Sequence, residues 1–199
     1  MKLGRDFCTR VDTLLVAREL LGKVLVVPDA GGRRVSGRVV EAEAYVGTED
    51  RASHAYGGRR TARTETMYAP GGAAYVYLVY GLHHQFNVVT GAAGSPDAVL
   101  VRALEPVEGV ELMRRRRGVK DDRALTSGPG KLCRALSIDR TFDGADLTAG
   151  RVWLEDDGFR AEPAEVAAGP RVGVAYAAED ALRPYRFWLR GSVFVSRKK

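Results

Sequence analysis

The order of apolar and polar positions divides the chain into short elements. Asp12 precedes an apolar face formed by Leu14, Leu15, Ala17, Leu20 and Leu21, and Gly22 follows it. An acceptor side chain before such a run and a glycine after it predict a capped helix. Residues 23–27 read as a buried strand, Pro28 to Gly32 as a turn, and residues 34–45 as the returning strand. A polar, glycine-containing loop runs from Gly47 to Gly72. A hairpin is expected next, from residues 73–80, a turn around Gly81-Leu82-His83, and residues 85–90. Residues 98–104 form a further predicted strand. Residues 107–124 read as a helix running into a basic loop, and Pro129 suits the first position of a second helix ending near Leu136. Four short strands are predicted after that, at 151–154, 171–176, 186–189 and 192–196. No βαβ alternation is present. The expected class is therefore α+β, with residues 1–199 as a single mixed domain built on a largely antiparallel sheet with several helices.

Charge adds a partner class to this outline. The 199 residues carry 31 Lys and Arg against 25 Asp and Glu, a formal charge of +6. Of the basic residues 25 are Arg and 6 are Lys. The planar guanidinium suits phosphate, so an anionic partner is implied, nucleic acid first. A proteome-wide compositional bias toward Arg produces the same count. Cys8 and Cys133 lie too far apart for a CxxC site, and two cysteines make no disulfide framework. No apolar run of about 18 residues exists to span a membrane, and Met1 to Asp6 lack an apolar signal core. A reducing cytoplasm is the expected location. His54, His83 and His84 are the only histidines and have no metal-ligand spacing, so no metal is expected.

Four segments could carry chemistry. In Val39-Val40-Glu41-Ala42-Glu43-Ala44-Tyr45, strand alternation turns Val40, Ala42 and Ala44 to one face and Glu41, Glu43 and Tyr45 to the other. Carboxylates two residues apart lie about 6.6 Å apart along a strand, and such proximity tends to raise one pKa, as a general base needs. The same strip also fits a solvated polar face. Tyr75 and Tyr77 share a face of the predicted hairpin, with Tyr80 beside its turn. They read either as cross-strand pairs or as a stacking surface plus a wedge for a minor groove. Gly57-Gly58-Arg59-Arg60 and Thr126-Ser127-Gly128-Pro129-Gly130-Lys131 each combine exposed amides with a cation, a logic that suits phosphate. The run Arg114 to Arg117 reads as a solvated face or loop.

Taken in order, Val40-Glu-Ala-Glu-Ala-Tyr45, Ser53-His54-Ala55, Gly57-Gly58-Arg59, Tyr75-Val-Tyr77, Tyr80-Gly81, Asn87 and Leu100-Val-Arg-Ala-Leu-Glu-Pro106 resemble the alkyladenine DNA glycosylase family, the mammalian type of 3-methyladenine DNA glycosylase. The resemblance continues through Gly128-Pro129, Lys131-Leu-Cys133, Arg171-Val-Gly-Val-Ala-Tyr176 and Arg190-Gly-Ser192, nearly the whole chain. It implies a protruding hairpin that enters DNA, no helix–hairpin–helix, and a damaged purine flipped into a pocket. By position Glu43 would activate the water that attacks the deoxyribose C1′, with Arg102 holding that water and Glu41 a neighbour only. Tyr45 would stack on one face of the base, and Tyr77 and His54 on the other. The main chain of His54 would lie near the base edge. Asn87 would clash with the 2-amino group of normal guanine, and Tyr80 would fill the gap in the duplex. Arg59 and, more weakly, Lys131 are candidate backbone contacts.

The implied activity is a monofunctional hydrolase of base excision repair, acting on duplex DNA as a monomer without cofactor. Its substrates would be 3-methyladenine and 7-methylguanine, with hypoxanthine and ethenoadenine behind them. The location would be the nucleoid in a bacterium and the nucleus in a eukaryote. A Schiff-base strand-nicking route needs an amine, and no lysine lies between Lys23 and Lys120. Leu82-His83-His84 departs from the larger hydrophobic residues that mammalian members carry after the wedge tyrosine. A non-catalytic nucleic-acid-binding module and a carbohydrate hydrolase using Glu41 and Glu43 are the competing readings.

Overall fold

A computed structural model describes residues 1–196. One helical turn, α1 (Arg5–Cys8), precedes α2 (Thr13–Leu20). The Asp12 carboxylate accepts the Leu15 amide at 2.9 Å, satisfying a donor that the first turn leaves free. Gly22 ends α2 with φ 86°, where an added Cβ would meet the Phe159 ring at 2.4 Å. Both glycine properties, positive φ and no side chain, are therefore required there.

The strands are β1 (Val24–Val26), β2 (Ser36–Tyr45), β3 (Ala74–Val79), β4 (His83–Thr90) and β5 (Asp97–Glu108). Helices α3 (Val110–Arg117), α4 (Arg123–Thr126) and α5 (Pro129–Leu136) follow, then β6 (Trp153–Glu155), β7 (Val166–Gly169) and β8 (Arg186–Leu189). The strands join one antiparallel sheet in the order β3-β4-β5-β2-β1-β6. β2 is long enough to hold β1 beside Ser36 to Arg38 and β8 beside Glu41 to Glu43, and β7 extends the sheet from β8. This is the α+β architecture that the pattern predicts.

The two faces of the sheet have different fates. Ala42, Ala44, Val76, Val88, Val99 and Val101 point into the main core, where Val16, Ala17 and Leu20 of α2 and Leu132, Ala135 and Leu136 of α5 cover them. On the other face, ladder partners line up across the strands: Tyr75, Asn87, Leu100, Glu43 and Arg186 occupy one row. Loops and the kinked 3-10 segment Ala175–Leu182 lie over this face, and the site forms here.

Two of the expected late strands are absent. Residues 171–176 are irregular and lead into a 3-10 segment, Ala175–Leu182, and residues 192–196 are turns. β7, which sequence reasoning missed, supplies the strand instead. The arginine run is also not a solvated face. Arg116 donates to the Ala135 carbonyl at 2.9 Å and Arg117 to the Leu125 carbonyl at 3.0 Å, so two of the four cations satisfy the exposed carbonyls of α5 and α4.

Candidate active site

Glu43 lies mid-sheet, fully buried. Its Oε2 accepts from the Tyr45 hydroxyl at 3.0 Å and from Arg102 Nη1 at 3.2 Å, and its Oε1 accepts from the Val172 amide at 2.7 Å. Each carboxylate oxygen has two acceptor positions, so among the described residues Oε2 is filled and Oε1 keeps one unengaged. Burial pushes the Glu43 pKa above the ordinary carboxylate range, against Arg102, the Val172 amide and the Tyr45 hydroxyl. A raised pKa and a free acceptor position describe a group able to take a proton from water.

Arg102 reaches Glu43 through paired irregularities. Along the β2–β5 ladder Val39 faces Leu104, Glu41 faces Ala103, and Ala42 faces Val101. Val40 and Arg102 are each left without a partner, and such bulges re-aim side chains. The guanidinium is also held by Glu41, at 3.1 Å from Nε, and by the Ser196 hydroxyl at 3.2 Å from Nη2. Burial opposes the Arg102 charge, but Glu43 and Glu41 outweigh it and its pKa is raised. Glu41 is as buried as Glu43, and its remaining bonds come from Arg186 at 3.2 Å and the Ser196 amide at 2.7 Å. The polar strip on β2 is therefore not a solvated face.

Beside Glu43 a narrow cavity of about 40 Å³ is lined by Tyr45, His54, Tyr75, Tyr77, Asn87 and Tyr176, with Ala52, Met67 and Ala98 between them. Glu43 does not itself line it. The Tyr45 hydroxyl connects the two, and Glu43, after burial, adds to the raised pKa of the Tyr45 phenol. The Tyr75 and Tyr77 rings lie 5.1 Å apart, and His54 stands edge-on to Tyr77 at 4.5 Å. His54 Nδ1 shares a 2.8 Å bond with the Tyr75 hydroxyl. Burial, then Arg63 and Arg59, lower the His54 pKa to about 4, so its imidazole is neutral at pH 7. The Asn87 amide nitrogen donates to the Tyr75 carbonyl at 3.0 Å, which fixes its orientation at the cavity wall.

The remaining predicted residues lie outside the cavity. Tyr80 occupies the hairpin tip, 91% exposed, with Leu82 beside it. Tyr80 and Gly81 have φ of 52° and 69°, and the Leu82 amide donates to the Val79 carbonyl at 3.1 Å, the signature of a type I′ turn. A tyrosine in this left-handed position is unusual and strained. Arg59 lies in a depression at the cavity mouth with Arg51, Ser53, Tyr56 and Tyr176. Lys131, on α5, lines a separate groove between α5 and the hairpin tip.

Sequence reasoning placed Tyr75 only in a cross-strand pair or stacking surface, gave no role to Tyr176, and missed the buried pair between Arg171 and Asp50. Arg171 Nη2 lies 2.8 Å from Asp50 Oδ1, its Nη1 donates to the Ala44 carbonyl at 2.9 Å, and its cation sits 4.8 Å from the Tyr45 ring centre. This clamp holds the segment whose next residue, Val172, donates to Glu43. The signals beforehand were the shared face of Tyr75 and Tyr77 and the place of Arg171 to Tyr176 in the family resemblance. Among the described residues no group of three potential metal ligands occurs, and no helix is long and apolar enough to cross a membrane.

Comparison with known proteins follows the same line. Residues 6–193 match the model of methylpurine-DNA glycosylase. A protein of Desulfitobacterium hafniense (strain Y51) named "Putative 3-methyladenine DNA glycosylase" is 49% identical over 99% of both chains. Proteins of the same name from Clostridium acetobutylicum and Bacillus cereus (strain G9842) are 47% and 48% identical, over 98% of both chains and over 94% and 95%. With its fold and its buried carboxylate beside an aromatic cavity, the chain belongs to the methylpurine-DNA glycosylase family.

Proposed function

We propose that this DNA-3-methyladenine glycosylase turns a damaged purine out of duplex DNA and hydrolyses its glycosidic bond with a water activated by Glu43. The observation that carries the reading is the buried Glu43 carboxylate, with one unengaged acceptor position, beside a cavity walled by tyrosines. Water attacks C1′, the C1′–N bond breaks, and its electron pair goes to the purine. The water proton passes to Glu43. Cleavage of this kind runs through an oxocarbenium-like state, which a nearby carboxylate stabilises. A 3-methyladenine nucleotide is already cationic, so its base leaves neutral and needs no proton. Arg102 opposes the effect of burial on Glu43 and favours the ionised form that the step needs.

The remaining roles follow from charge and shape. A cationic base is attracted to the faces of Tyr45 and Tyr77, and a neutral His54 beside them adds no repulsion. Asn87, fixed at the wall, disfavours normal guanine through its 2-amino group, a penalty that the labile glycosidic bond of the cationic 7-methylguanine nucleotide offsets. Tyr80 fills the space that the base leaves in the duplex. Arg59 and Lys131 contact phosphates. The substrates are 3-methyladenine and 7-methylguanine first, then hypoxanthine and ethenoadenine, and the protein works as a monomer on cellular DNA. Among the described residues no lysine lines the cavity, which favours an abasic site in an uncut strand as the product.

Duplexes carrying one defined lesion each test this reading. The expected result is release of the free damaged base, with strand cleavage appearing only after alkali. Release of no base from any lesion would leave a non-catalytic DNA-binding module. Cleavage without alkali would contradict the monofunctional mechanism.

A further inference from the structure

Tyr176 has no part in the scheme above, yet it stands at the mouth of the cavity and is 69% exposed. The ring is not loose. Val174 and Ala177 on either side are buried in a cluster with Ala52 that Tyr45 packs against. The Tyr176 hydroxyl donates to the Ala52 carbonyl at 3.2 Å, joining two walls of the mouth that are 124 residues apart in sequence. Two residues on, Ala178 holds φ 50° and ψ −122°, a conformation that a residue with a Cβ adopts only when its surroundings impose it. Those surroundings are visible: Asp180 accepts the Arg51 amide at 2.9 Å, and its carbonyl accepts from Arg171 at 3.2 Å. A strained bend is maintained, and it leaves a large aromatic ring in water at the cavity rim.

The ring also occupies a specific place. With His54 it belongs both to the cavity and to the depression outside it that contains Arg51 and Arg59. Its phenol is influenced by burial first, then by Arg171, Asp50, Glu43 and Tyr80, so both the hairpin-tip tyrosine and the buried carboxylate act on it. On the glycosylase reading, a base turned into the cavity would bring its sugar to this rim.

We propose that Tyr176 is the outer wall of the base pocket: its ring packs on the flipped nucleotide, at the deoxyribose and the outer edge of the purine, and holds it outside the helix. The inference rests on the glycosylase reading. The ring supplies the contact, and the bond to Ala52 only steers it.

Full-length Tyr176→Ala and Tyr176→Phe test the proposal on a duplex with a lesion that the wild type excises and 2-aminopurine beside it. The 2-aminopurine fluorescence reports flipping, and single-turnover release reports excision. Tyr176→Ala is expected to lower the flipping equilibrium constant about tenfold, the size of a lost base–aromatic contact, and to slow excision at subsaturating enzyme. Affinity for undamaged duplex and melting temperature stay at wild-type values, and Tyr176→Phe stays within about twofold of wild type. An unchanged flipping constant in Tyr176→Ala would overturn the proposal. So would an equal loss in Tyr176→Phe, or a fall in melting temperature that accompanies the loss in Tyr176→Ala. A wild type that excises no lesion would instead contradict the glycosylase reading itself.

Discussion

Arg102 meets Glu43 at 3.2 Å, with both side chains buried, because the sheet is irregular on both sides of the contact. An unbroken ladder would pair Arg102 with a β2 residue. The bulge frees it, and Glu41 on its Nε keeps it from turning wholly onto Glu43. Arg102 lowers a Glu43 pKa that burial raises. With Glu43 as the proposed base, excision needs the ionised carboxylate and should fall as pH drops through the raised Glu43 pKa. In Arg102→Gln the lowering influence is gone, the Glu43 pKa rises further, and the acid limb of single-turnover excision moves to higher pH. A limb that stays in place or moves down would contradict the role given to Arg102.

Asp50 and Arg171 form a pair with almost no solvent contact. Removing one partner leaves an uncompensated buried charge, at a cost of about 3–5 kcal/mol. Asp50→Ala should lose stability of that order in urea unfolding. Glu65→Ala, which breaks the exposed pair with Arg60, should leave the unfolding midpoint unchanged.

Tyr80 carries a trade of stability against function. Asparagine tolerates the left-handed conformation that strains tyrosine. Tyr80→Asn should therefore be as stable as the wild type or more stable by about 0.5–1 kcal/mol. Its flipping of a lesion should fall more than its affinity for undamaged duplex. Equal losses in flipping and affinity, measured by fluorescence and by titration, would remove the wedge role.

His54 makes stability depend on pH. Its folded pKa, about 4, lies below the ordinary 6.5, so above pH 6.5 both folded and unfolded forms are neutral and the full stability is present. As pH falls from 6.5 toward 4 the unfolded chain binds a proton that the folded one does not, and stability is lost. His54→Asn should show a shallower decline across that window. Parallel curves for the two proteins in pH-dependent urea unfolding would contradict a buried, neutral His54.

The shared face of Glu41, Glu43 and Tyr45 was legible from alternation alone, as was the hairpin that carries Tyr75, Tyr77 and Tyr80. The burial of the β2 strip was not. Its partners Arg102, Val172, Arg186 and Ser196 lie 59 to 155 residues away from the carboxylates they bind. The two mistaken strands have the same origin. Val172 and Val174 alternate with Gly173 as a strand would, and residues 192–196 carry Val193 and Val195 in the same way. In both segments, however, a backbone amide goes to a buried carboxylate: Val172 to Glu43 and Ser196 to Glu41. Local pattern does not distinguish a ladder donor from a donor to a side chain. β7 escaped notice for the opposite reason, since Val-Ala-Ala-Gly has little strand preference of its own and forms against β8.

The most direct test of the central claim is release of free 3-methyladenine from alkylated duplex by Glu43→Gln under single-turnover conditions, with binding to the same duplex measured in parallel. The account predicts excision slowed by about 10²–10⁴, the range for loss of a general base, with binding close to wild type. Excision by Glu43→Gln at a rate near that of the wild type would contradict it.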